Sequence, residues 1–153
     1  DFTAALADIY EHSPWVAEAA LQRRPFARLK DLHEAMRAAL LTADDARKRA
    51  VLNAHPDLAG RLAVRGELTA ESTTEQASAG LDKCSPDEFR RFTELNDAYR
   101  RKFPFPFIMA VKGRSRAEIL GAFERRIHHD EATEFAAALQ EVHKIALLRL
   151  RDL

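Results

Sequence analysis

Glycine and cysteine are scarce in this chain. Five glycines in 153 residues leave few places for tight turns, and no alternating valine- and isoleucine-rich run is present. A strand-rich fold therefore has neither its strands nor its punctuation. The single cysteine, Cys84, has no internal partner for a disulfide, which favours a reducing compartment. Neither sign of charge is in excess: 24 basic and 24 acidic residues give a formal charge of zero. That balance argues against nucleic acid or an anionic membrane as the main partner. No apolar run approaches the length of a membrane span, and no signal-peptide pattern follows Asp1. What is present, 46% hydrophobic and 31% charged residues in a length suited to one domain, is the composition of a soluble globular protein with room for a core. The alanine and arginine content suits a bacterial cytoplasm, and Arg151-Asp152-Leu153 is not a peroxisomal signal.

Helical spacing recurs instead. Phe2, Leu6, Ile9 and Tyr10 predict a short first helix, and Ser13-Pro14 reads as an N-cap followed by proline at the first helical position. Leu29, Leu32, Met36 and Leu40 form a stripe on a helix of roughly three to four turns. Thr42-Ala43-Asp44-Asp45 opens the next helix, which carries Ala46, Ala50 and Val51 and must stop near His55, because a residue before proline avoids the α region. Residues 57–70 read as irregular. Ser72-Thr73-Thr74-Glu75 has capping-box spacing, and Ser85-Pro86-Asp87-Glu88 and Ser115-Arg116-Ala117-Glu118 open two further helices. Phe89, Phe92, Leu95 and Tyr99 line the first of these, which Pro104 and Pro106 end; Ile119, Leu120, Phe123 and Ile127 line the second. A last helix begins near Glu131. The expected fold is all-α, a single-domain bundle of roughly seven to nine helices over residues 1–153.

Several residues invite a chemical reading. His55, directly before Pro56, reads two ways: as a helix C-cap, or as an imidazole that the proline presents to a cavity as an acid or base. Ser72 and Glu75 are explained by a capping box, but Gln76, beside Glu75 on one helical side, is not. On the last helix Phe135, Leu139, Val142, Ile145 and Ala146 form the buried stripe. Arg149 lies seven positions past Val142 and so returns to within about 20° of that stripe. A charge there is paired, frayed into solvent, or used as a fork for a carboxylate or a urea-like group. The stretch Phe103-Pro104-Phe105-Pro106-Phe107 cannot be helical throughout. It is a buried connector or a rigid wall whose backbone N–H groups meet a ligand. His128-His129-Asp130, with His143 and His33, raises a metal-dependent hydrolase as a rival, although the i, i+4 histidine spacing of a helical zinc site is absent.

Four stretches together resemble the 2-oxo-4-hydroxy-4-carboxy-5-ureidoimidazoline (OHCU) decarboxylase family. They are His55-Pro56-Asp57-Leu58-Ala59-Gly60, Ser72-Thr73-Thr74-Glu75-Gln76, Tyr99-Arg100-Arg101-Lys102-Phe103 running into Phe105-Pro106-Phe107-Ile108, and Leu148-Arg149-Leu150. Their order and spacing carry the resemblance over nearly the whole chain. It implies an all-α fold and a cofactor-free decarboxylation of a ureidoimidazoline to (S)-allantoin in urate catabolism, with no metal. It also implies a homodimer, which no heptad seam here confirms. By resemblance His55 is the catalytic acid, Glu75 its acidic partner and Arg149 a third catalytic group. Pro56, Ser72, Glu75, Gln76, Arg149 and the backbone of Phe107, Ile108, Met109, Ala110 and Val111 line the substrate site. Pro104 departs from the pattern, which usually has glycine there. It cannot adopt positive φ or donate a backbone hydrogen bond, so the start of that loop is expected to differ and the wall downstream to survive. A non-enzymatic helical interaction module, with the Phe-Pro segment as an exposed sticky surface, is the remaining alternative.

Overall fold

A computed structural model describes residues 2–60 and 66–153. Among these residues there are eight α-helices and one short 3-10 turn, and no strand, in agreement with the all-α expectation. The chain forms two compact units, residues 1–55 with 139–153, and residues 56–138.

The first unit contains α1 (Phe2–Leu6), α2 (Pro14–Leu21), α3 (Leu29–Leu41), α4 (Asp45–Asn53) and the C-terminal part of α8 (Glu131–Arg151). Helix α2 packs on α1 and α3, and α3 on α4. Val16, Ala20, Met36, Leu40, Val51 and Leu52 are fully buried, and each large aliphatic side chain so placed contributes about 1.5–3 kcal/mol of transfer free energy. Helix α1 is shorter than the apolar spacing predicted: Ile9 and Tyr10 are buried from the turn that follows it. Ser13 does precede α2, but its hydroxyl donates to the Glu11 carbonyl (2.8 Å) and makes no side-chain cap to the helix. On α3 the buried face takes His33 and Ala35 while Leu29 stays exposed. Helix α4 is capped by Asp44, which accepts from the Arg47 amide at 2.8 Å, and it buries Val51 and Leu52 rather than Ala46 and Ala50.

The second unit contains α5 (Ala70–Ser78), the 3-10 turn η1 (Leu81–Lys83), α6 (Pro86–Lys102), α7 (Arg116–Arg126) and the N-terminal part of α8. Gly80, at φ +74°, reverses the chain between α5 and η1. Ser115 and Glu118 form both halves of a capping box, and Ser85, expected as a cap before Pro86, forms one with Glu88 as well. On α6 Phe92, Leu95 and Tyr99 are buried and Phe89 lies outside; α7 buries Ile119 and Phe123. Residues 57–60 and 66–69 are irregular as expected, while residues 61–65 of that stretch lie outside the described residues.

Candidate active site

His55 closes α4. Its backbone N–H bonds the Leu52 carbonyl at 3.2 Å, and Pro56 prevents another turn. The ring folds back one turn, with Nδ1 2.8 Å from the Val51 carbonyl oxygen. A carbonyl only accepts, so Nδ1 carries the proton, and in the neutral ring the lone pair sits on Nε2. His55 is 6% exposed. Burial lowers its pKa from 6.5 to about 4, against upward pulls from the Val51 carbonyl and the Glu11 charge and a downward push from Arg149 and His12. The resting ring at neutral pH is therefore the neutral form. The imidazolium expected of a C-cap or of a carboxylate-paired acid is not the resting species, because desolvation outweighs the nearby negative charge.

Arg149 sits where the helical angle put it, on the buried face of α8, 7% exposed. Its Nη1 donates to the Asp8 carbonyl at 2.8 Å and its Nη2 to Glu11 Oε2 at 2.7 Å. Glu11 is 2% exposed. Sequence reasoning missed it. The signal that pointed its way was Arg149 itself, since a buried guanidinium demands an anion, but no local pattern named which. His55, Glu11 and Arg149 thus form one electrostatically coupled group within the first unit. Nearby, Tyr10 hydrogen-bonds His143 Nδ1 at 2.7 Å, and His33 Nε2 donates to the His143 carbonyl at 2.9 Å.

The remaining predicted residues belong to the second unit. Thr69, not Ser72, caps α5: the Ser72 amide donates to the Thr69 hydroxyl at 3.2 Å. Ser72 is inside the helix, so a capping box explains neither it nor Glu75. Ser72 and Gln76, one turn apart, are both buried, and Glu75 is half-buried. Gln76 Oε1 accepts from the Ala59 amide at 3.0 Å, and its Nε2 donates to the Asp57 carbonyl at 3.2 Å. Its amide thereby holds the turn after Pro56, where Ala59 takes φ +50°. Asn96 donates to the Leu58 carbonyl (2.9 Å), and Arg100 pairs with Asp57 (2.8 Å) on the same turn. Gln76 also lines a cavity of about 590 Å³ in this unit, whose wall includes Ala59, Thr73, Leu81 and Phe89.

Phe107, Ile108 and Val111 are buried, and Met109 and Ala110 half-buried. Phe107 stacks on Phe123 at 3.9 Å between centroids, and the Arg126 guanidinium lies 4.4 Å from the Phe107 centroid on its other contact. Arg126 Nη1 donates to the Ile108 carbonyl at 2.7 Å and its Nε to Glu134 Oε1 at 3.0 Å. Tyr99 donates to the same Glu134 oxygen at 2.6 Å, and His129 Nδ1 to Oε2 at 3.0 Å. Pro104 is exposed, and Phe103 and Phe105 on either side of it stack at 5.9 Å. Phe103, Phe105, Phe107 and Ile108 are all under 4% exposed, so the sticky surface an interaction module needs is not presented. Of the histidines that suggested a metal, His33, His129 and His143 have ring hydrogen bonds to other groups, and among the described residues no three His, Cys, Asp or Glu side chains gather to hold an ion.

The family profile described as OHCU decarboxylase matches residues 1–151. The chain belongs to the OHCU decarboxylase family. A relative from Haloferax volcanii, named 2-oxo-4-hydroxy-4-carboxy-5-ureidoimidazoline decarboxylase, is 48% identical over 151 residues, covering 99% of this chain and 88% of the relative. A Bacillus subtilis protein named uric acid degradation bifunctional protein PucL is 38% identical over 151 residues, of which this chain spans 30%. A crystal structure of (S)-allantoin synthase superposes with a TM-score of 0.78 at 33% identity, covering 98% of this chain and 48% of that one. This OHCU decarboxylase-family chain therefore carries the family's fold over its length. No described helix is long and apolar enough to cross a membrane.

Proposed function

We propose that this protein decarboxylates 2-oxo-4-hydroxy-4-carboxy-5-ureidoimidazoline to (S)-allantoin in urate breakdown. The observation that carries the reading is the buried, neutral His55 with its basic Nε2, in a chain 48% identical to a protein named for that reaction. In the substrate, the carbon bearing hydroxyl and carboxylate adjoins a ring C=N bond. Loss of CO2 sends the bond pair toward that carbon's neighbour and onto the ring nitrogen, which takes a proton from water, leaving an enol. The enol hydroxyl then loses its proton and the ureido-bearing carbon gains one, giving the carbonyl and the stereocentre of allantoin. Because the substrate's own C=N receives the electrons, the reaction needs no pyridoxal phosphate or thiamine.

His55 Nε2 is the base for the hydroxyl proton, and the imidazolium so formed is the acid that returns a proton to one face. Arg149 meets the substrate's carbonyl or ureido oxygens. Binding the departing carboxylate instead would stabilise the ground state and slow the reaction. On the family pattern Pro56, Ser72, Glu75, Gln76 and the backbone of Phe107–Val111 contact the substrate, with Glu75 the acidic partner in proton transfer. The same reading places the protein in the cytoplasm and pairs it as a homodimer, which sedimentation tests. The decisive assay supplies freshly generated substrate and follows optical activity. A rapid rise of one sign, faster than spontaneous decay, is expected; decay at the uncatalysed rate to racemic product would overturn the assignment.

A further inference from the structure

Glu11 has no place in the reading above, yet its carboxylate is buried and paired with Arg149. Asp8 to Ser13 connect α1 to α2 and are fixed from several sides. Tyr10 bonds His143, the Asp8 carbonyl receives Arg149, and the Ser13 hydroxyl holds the Glu11 carbonyl. His12 adopts φ +48°, a backbone conformation that a non-glycine residue takes only when its surroundings impose it. That turn sends the His12 side chain outward, 64% exposed, and the Glu11 side chain inward, 1% exposed. Three ionisable groups are then buried together: Glu11, Arg149 and His55. Such a cluster is a poor way to stabilise a fold, since apolar side chains of the same volume serve as well or better.

Glu11 faces, among other groups, Arg149 at 2.7 Å and His12 at 3.8 Å, with the His55 ring within coulombic reach. Arg149 and His12 oppose protonation of His55, and Glu11 favours it. When His55 takes the hydroxyl proton, an imidazolium forms beside a guanidinium. A carboxylate shared by both is the group that makes this tolerable in a buried site. We propose that Glu11 is a positioning residue of the reaction: it orients the Arg149 guanidinium and supplies the negative charge that keeps His55 Nε2 basic enough to accept a proton. This rests on the roles given to His55 and Arg149 above.

Two variants and two readouts test it. Glu11→Gln removes the charge; the NMR titration midpoint of His55 should fall by roughly one pH unit or more, and the acidic limb of kcat/KM should move the same way. Glu11→Asp keeps the charge, folds with less disturbance and draws the guanidinium back by about a methylene. Its His55 midpoint should stay near that of the wild type while kcat/KM drops about 10- to 100-fold. An unmoved midpoint in Glu11→Gln, or wild-type turnover in Glu11→Asp, would overturn the proposal and leave Glu11 a structural ion pair. The titration needs no substrate. If the wild-type protein fails to make optically active allantoin, the functional reading falls, and the imidazole midpoint still decides whether Glu11 sets His55.

Discussion

Replacing Glu134 by alanine should cost about 3–5 kcal/mol, the loss typical of removing one partner from a buried ion pair. Glu134 is 0% exposed and accepts from the Tyr99 hydroxyl at 2.6 Å, from Arg126 Nε at 3.0 and 3.3 Å, and from His129 at 3.0 Å. The Arg126 side chain is 13% exposed, and its Nη2 is buried with no hydrogen-bond partner among the described residues. Without Glu134 that cation keeps the Ile108 carbonyl as a hydrogen-bond anchor and the face of Phe107. In a chain of this size each kcal/mol moves Tm by about 2–4 °C, so the melting temperature should fall by about 6–20 °C. With a urea slope of about 2 kcal/mol/M, the unfolding midpoint should drop by about 1.5–2.5 M. Tyr99→Phe removes one hydrogen bond from the same carboxylate and should cost only about 1 kcal/mol. Arg126→Met combined with Glu134→Leu removes both charges and should recover much of the loss. A Glu134→Ala cost below about 1 kcal/mol would refute the reasoning. So would a double variant no more stable than the single, because the loss would then come from packing rather than an uncompensated charge.

His55→Ala should lower the rate of stereoselective allantoin formation by about 10²- to 10⁴-fold, read by circular dichroism, with an unchanged far-ultraviolet spectrum; undiminished turnover would remove His55 from the proton transfers. Burial lowers both His55 and His143 from 6.5 to about 4, so between those values the unfolded chain binds protons that the fold does not. Stability should therefore be full above about 6.5 and decline as the pH falls toward 4. Urea midpoints across that window should show the slope, and His143→Gln should reduce it. A methyl group on Gly60 would stand 2.7 Å from Asp57 Cβ, so Gly60→Ala should cost about 1–3 kcal/mol in thermal melts, and wild-type stability would show the turn to be pliable.

Local signals decided most of the helices. Ser85, Ser115 and Asp44 start helices because their side chains reach amides three residues on. Where two such patterns overlap, the signal fails: Thr69 and Ser72 both suit a cap, and the helix starts at the earlier one. Apolar spacing placed Val142, Ile145 and Ala146 inside, and with them Arg149. It misjudged Leu29 and Ala46, because amphipathic periodicity marks a face but not how far along that face a neighbour extends.

By itself, then, the sequence determined where several helices begin, that Pro56 stops α4 at His55, and that a guanidinium lies on a buried face. Each of these is a matter of backbone sterics or period within a few residues. The protonation of His55 and the partner of Arg149 were decided only by tertiary structure. Glu11 stands 138 positions from Arg149, and burial, which sets the imidazole's charge, is a property of the packed chain rather than of any short stretch.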